Sequence, residues 1–148
     1  MKSPKEESGE LMNSLVPFAK EMLKRYGEFL PFAGFMAPDG KITHVGGKIE
    51  GTDHSKSRDL ISLFLKNFRE SAGKNEVKAV SIVYDVRIKP PSENEKSDAI
   101  QVCLEHRNGY SADVYFPYKW ENDEVLFGPI FAQRRDLEIF VAWPVTGD

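Results

Sequence analysis

The sequence predicts an α+β fold: an antiparallel sheet of about five to seven strands with two helices, in the order α-β-β-α-β-β-β-β-β. Two stretches repeat apolar residues every three or four positions, as one face of a helix does. Three later stretches alternate apolar and polar side chains with period two, the mark of half-buried strands. No strand–helix–strand crossover lies between those three, so nothing demands a parallel sheet.

Residues 1–10 are polar and are expected to form a disordered, frayed tail ahead of a single α+β domain over 11–148. The first helix runs from about Glu10 to Arg25, with Leu11, Leu15, Phe18, Met22 and Tyr26 along one stripe. Pro17 interrupts it. A proline inside a helix removes one hydrogen bond and clashes with the preceding turn, so either the helix kinks or it starts at a Ser14 N-cap. The later start is the expected one, and Gly27 is the natural terminator.

Next, Ala33 to Ala37 and Lys41 to Val45 flank Pro38-Asp39-Gly40, which reads as a hairpin. A glycine-bearing stretch from Gly46 to Gly51 leads to Thr52-Asp53, the expected cap of a second helix over His54 to Ala72. Leu60, Ile61, Phe64, Leu65 and Phe68 form its buried face, and Gly73 ends it.

In Val80 to Ile88, Ala99 to Arg107 and Tyr110 to Tyr118 the apolar residues fall on even numbers, among them Ile82, Val102 and Val114. The even side chains of all three strands are therefore expected to turn inward together beneath both helices. Their odd neighbours would form an open face. At Arg107-Asn108-Gly109 a two-residue Asn-Gly turn would pair Cys103 with Val114, setting core against surface. A three-residue loop pairs Leu104 with Ala112, Val102 with Val114 and Ile100 with Phe116, so a type I turn with a bulge and a left-handed Gly109 is predicted. Val125 to Phe131 reads as an edge strand, Gln133 to Asp136 as a turn, and Leu137 to Trp143 as a last strand.

Composition narrows the function classes. A single cysteine, Cys103, leaves no intrachain disulfide, and the charged N-terminus lacks the apolar core of a signal peptide. No apolar run approaches the roughly 18 residues a membrane helix needs. A cytoplasmic protein with no membrane association is expected. Twenty Lys plus Arg against 23 Asp plus Glu give a formal charge of −3, with no basic face for nucleic acid.

One resemblance is visible. Phe29-Leu30-Pro31-Phe32-Ala33-Gly34 running into Pro38-Asp39-Gly40, with Ala79 to Ile88 and Ala99 to Tyr118, resembles a group of small bacterial proteins of unknown function. The element order is also similar to profilin-like and roadblock-type domains, which are mostly sensing or scaffold modules. Neither resemblance supplies a functional residue.

The residues themselves offer few chemical constellations. Gly46 and Gly51 copy the outer spacing of a phosphate loop, but Thr52-Asp53 stands where Lys and Ser or Thr would be required. None of the three histidines, His44, His54 and His106, pairs with another at helical metal-site spacing, and His106 reads as hydrogen-bonded structure. Cys103 carries no nucleophile signature. No catalytic residue, metal site or cofactor is predicted.

Two function classes follow. The first is a non-enzymatic interaction or regulatory module that binds a protein partner or a second copy of itself. It would use the odd face, with Val83, Asp85, Arg87, Cys103, Glu105, Arg107 and Tyr115, or its C-terminal strand. The alternative is a small-molecule-binding protein or enzyme with a pocket between the first hairpin and the second helix, using His44, Lys48, Asp53 and His54.

Overall fold

A computed structural model describes residues 2–46, 55–91 and 93–141. The elements are α1 (Pro4–Tyr26), β1 (Phe32–Met36), β2 (Ile42–Gly46), α2 (Ser55–Gly73), β3 (Ala79–Ile88), β4 (Ser97–His106), β5 (Ser111–Glu121), β6 (Glu124–Phe127) and β7 (Phe131–Arg134). The seven strands form one antiparallel sheet in the order β2-β1-β3-β4-β5-β6, with β7 also pairing β5. This is the α+β class and element order that the periodicities predict.

Helix α1 corrects two expectations. Its first turn lies at Pro4, within the stretch expected to fray, and not after Ser14. Ser3 is the N-cap: its hydroxyl accepts the Glu6 N–H at 3.1 Å while the Glu6 carboxylate accepts the Ser3 N–H at 3.2 Å. Pro4 at the first helical position loses nothing, because that N–H has no helical partner anyway. The Ser14 hydroxyl donates to the Leu11 carbonyl at 2.7 Å, so it is a mid-helix side chain and no cap. Pro17 lies inside the helix, and Gly27 closes it in the left-handed region at φ 79°.

Both hairpin turns follow the predicted chemistry. Gly109 donates to His106 O at 3.0 Å and His106 donates to Tyr110 O at 2.8 Å, with Gly109 at φ 98°. Leu104 pairs Ala112, Val102 pairs Val114 and Ile100 pairs Phe116, the register set by matching the apolar faces. The first hairpin repeats this geometry: Gly40 donates to Ala37 O and Ala37 to Lys41 O, both at 2.8 Å.

The shared parity of the three central strands fails at β3. That strand pairs Ile82 with Cys103 and Val83 with Val102, so its odd residues share a face with the even residues of β4 and β5. The two helices also pack on opposite faces. Beneath α1, Leu11, Leu15, Ala19 and Leu23 meet Val83, Val102, Leu104, Val114 and Phe116. On the other side Phe64 and Phe68 of α2 join Val80, Ile82, Cys103 and Ile139. Among the described residues no open odd face exists over the centre of the sheet. The run Ala79-Val80-Ser81-Ile82-Val83 is buried throughout, as a strand covered on both sides must be.

Toward the C-terminus the expected strand over 125–131 is divided. Gly128 donates to Pro117 O at 2.9 Å, and Pro129, which has no N–H, ends the ladder before β7 begins. Residues 133 and 134, expected in a turn, belong to β7. The strand expected over 137–143 is absent from residues 137–141, whose backbone turns onto the sheet face. Instead of pairing as a strand, the N–H groups of Glu138, Ile139 and Phe140 turn to the carboxylate of Glu105.

Candidate functional site

Alternation along β4 points Gln101, Cys103 and Glu105 to the α2 side of the sheet, and Asp113 and Tyr115 of β5 lie on the same face. There the Glu105 carboxylate, 1% exposed, organises a buried polar cluster. It accepts the N–H of Glu138 at 3.1 Å, of Ile139 at 2.8 Å and of Phe140 at 3.3 Å. The Arg135 guanidinium completes its shell at 2.9 Å, reaches Asp113 at 3.1 Å and closes on Glu138 at 2.9 Å. A buried carboxylate is tolerable only when it is paired and hydrogen-bonded in this way. Burial works against the charge on Arg135, but Cys103, Glu105 and Asp113 more than offset it and hold the guanidinium above its ordinary range.

Beside the cluster, the Cys103 thiol donates to the Tyr84 hydroxyl at 3.4 Å and takes a contact from the Gln101 amide at 3.7 Å. Burial pushes the thiol up to about 12. The Tyr84 hydroxyl is likewise raised, first by burial and then by Cys103. At neutral pH Cys103 is a protonated, enclosed thiol and not a nucleophile.

A second polar cluster ties α1 to the sheet. Glu7, in the first turn of α1, meets Lys78 in a close ion pair and His106 at 2.9 Å. The Asn108 N–H donates to His106 Nδ1 at 3.1 Å, so that nitrogen carries no proton and Nε2 is the one that donates to Glu7. His106 is 1% exposed and serves the fold, as its register predicts.

The structure divides the residues singled out as an interaction surface. Cys103, Glu105 and Tyr115 do meet on one face, with Tyr115 stacked on Phe131 at 4.9 Å. Val83 is fully buried on the α1 face. Asp85 is on that face as well, accepting the Tyr118 hydroxyl at 2.7 Å. Arg87 is exposed and pairs with Asp98 at 3.3 Å. Arg107, also exposed, donates to Asn75 at 3.0 Å. Of the pocket candidates, His44 turns away from α2 and contacts Ser14 of α1 at 3.1 Å. Lys48, Asp53 and His54 lie outside the described residues, as does the Thr52-Asp53 cap.

Sequence reasoning missed Arg135, which is adjacent to Arg134 and Asp136 and reads as ordinary surface charge. The available signal was Glu105, an acidic residue that follows Val102-Cys103-Leu104, three apolar residues in succession and so a strand with a buried residue on each side. Among the described residues no group of three or more His, Cys, Asp and Glu could hold a metal ion. No helix among them is long and apolar enough to cross a membrane. No family model, curated protein or solved structure matches the chain.

Proposed function

We propose that the protein is a non-enzymatic interaction module that associates with a protein partner, foremost a second copy of itself, along the β6–β7 edge of its sheet. The observation that supports this reading is the placement of exposed apolar side chains. With both faces of the central strands covered, Trp120, Leu126 and Ile130 remain 42%, 45% and 58% exposed at the β5–β6–β7 end of the sheet. An edge strand keeps one row of backbone donors and acceptors unused, and a second strand satisfies them by antiparallel pairing.

Size-exclusion chromatography with light scattering tests the reading. A concentration-dependent dimer is expected, converted to monomer by Ile130→Asp and by Ala132→Pro. A native chain that stays monomeric at its solubility limit would sink it.

A second reading rests on a cleft of about 210 Å³ lined by Phe29, Ile61, Tyr84, Asp85, Arg87 and Asp98, among others. It is smaller than the roughly 300–1,000 Å³ of drug-sized ligand pockets, so only a small polar molecule fits. Thermal-shift screening with small amines, carboxylates and amino acids separates the two readings. A stabilisation lost in Arg87→Ala would favour the cleft, and no shift with any compound would remove it.

A further inference from the structure

The segment 135–140 is attached to the body of the protein in an unusual manner. Among the described residues no backbone-to-backbone hydrogen bond joins it to the sheet. Side chains of the body hold it instead. Glu105 captures three consecutive N–H groups, Asp113 and Glu105 share the Arg135 guanidinium, and Ser111 donates to the Arg135 carbonyl. Arg69 of α2 donates to the Glu138 carbonyl at 2.7 Å. Between these anchors Ile139, 5% exposed, sinks into the apolar cluster with Phe64, Phe68 and Ile82. This is how a groove grips a docked peptide: an aliphatic anchor in a pocket, a cation bridging two carboxylates, and backbone donors satisfied by the receptor.

We propose that the groove between α2 and strands β4 and β5 is a peptide-docking site, filled in cis by residues 135–140, and that the same segment of a second copy occupies it in trans. The chemistry the groove selects is a guanidinium followed four residues later by an aliphatic side chain. Any chain of this protein supplies it, and the segment follows directly from β7, at the edge where association is proposed. The choice of occupant rests on that self-association reading. The groove itself rests only on the contacts above. In cis the segment has a high effective concentration, so a free peptide must compete with it. Exchange therefore requires the cis segment to be weakened or the copies to be concentrated.

The test uses the full chain carrying Ile139→Asp, which removes the aliphatic anchor of its own segment and leaves the groove residues intact. A labelled peptide of residues 134–141 is titrated and followed by fluorescence anisotropy. Saturable binding is expected, at least about tenfold tighter than to the native chain, whose own segment competes. Replacing Arg135 by Ala in the peptide, or adding Glu105→Gln to the protein, should abolish it. Equal binding of the native and Arg135→Ala peptides, or none of either to a folded Ile139→Asp chain, overturns the proposal.

Should Ile139→Asp unfold the protein, the isotopically labelled native chain is titrated with the same peptide. Movement of the Cys103, Glu105 and Asp113 amide resonances, with those of β1 unmoved, supports the site. A spectrum unchanged at saturating peptide overturns it. Edge association is read separately, since Ile130→Asp alters the dimer equilibrium without touching the groove.

Discussion

Charging a carboxylate at 1% exposure is costly in a low-dielectric interior, and Glu105 bears that cost because four donors, three backbone N–H groups and the Arg135 guanidinium, surround it. Removing one partner of such a pair is worse than removing both, since the survivor is left buried and uncompensated. Glu105→Gln is therefore expected to lower unfolding stability by about 3–5 kcal/mol in urea titrations. Adding Arg135→Met to that variant should cost less than the two single changes summed. A loss under about 1 kcal/mol for Glu105→Gln would mean the cluster is not what holds the C-terminal segment. Glu7 makes a different, pH-dependent contribution. Its carboxyl is held below the ordinary carboxylate range, first by the Lys78 hydrogen bond and then by His106. A carboxyl with a lowered folded pKa stabilises the native state fully above its unfolded value, about 4.3 for glutamate, and that stabilisation fades as pH falls through the folded value. Melting temperatures measured across the acid limb should therefore drop less steeply for Glu7→Gln than for the native chain. The two curves should run parallel at neutral pH.

At the next scale, α1 is a helix anchored at both ends and pressed against the sheet through small residues. Its start was legible in Ser3-Pro4-Lys5-Glu6, a capping box with proline at the first helical position, but the polar character of the first ten residues and Pro17 pointed elsewhere. Burial of Leu11 and the Glu7 contacts outweigh the lost hydrogen bond at Pro17. Close approach to β1 and β3 depends on Gly34 and Ser81, which are paired side by side. A Cβ at Gly34 would lie 2.9 Å from Leu15 Cδ2 and 3.1 Å from Cδ1. Because Leu15 is fully buried, its side chain has nowhere to retreat. Gly34→Ala should destabilise by about 1–3 kcal/mol, the usual range for overpacking, in thermal or urea unfolding. Ser81→Ala, at the same interface, should have the opposite sign. The Ser81 hydroxyl is buried with no hydrogen-bond partner among the described residues, so deleting it removes a desolvated polar group and leaves the packing volume nearly unchanged. Unfolding midpoints equal to or above the native value are expected. A clear loss would show that the hydroxyl has a partner.

For the molecule as a whole, local pattern revealed the strands and long-range register decided what they meant. The β4–β5 register was readable because a short turn joins the strands and only one pairing matches Val102 with Val114. No such constraint acts between β3 and β4, where the connection over 89–96 is long enough to permit either parity. Val80 and Ile82 are apolar, but so are Ala79 and Val83, and a strand buried on both faces has no preferred side to report. The Glu105 cluster was hidden for a related reason: Arg135 and Glu105 are 30 residues apart, and only the folding of the C-terminal segment over the sheet brings them together. This architecture makes a graded prediction for native-state hydrogen exchange. Strands β3 and β4 have a neighbour on each side and a cover on each face, so their amides can exchange only through global unfolding. The β6 and β7 ladders are four residues each with no buried side chain, and they should open locally at much lower free energy. The Ile139 and Phe140 amides decide whether the C-terminal segment belongs with the centre or the edge. Bound to a buried carboxylate, they should exchange more slowly than those of β7, although they lie outside any strand. Glu105→Gln should bring them to the rate of the β7 amides while leaving those of β3 on the global limit, and equal protection in the two proteins would assign the holding of this segment to something other than Glu105.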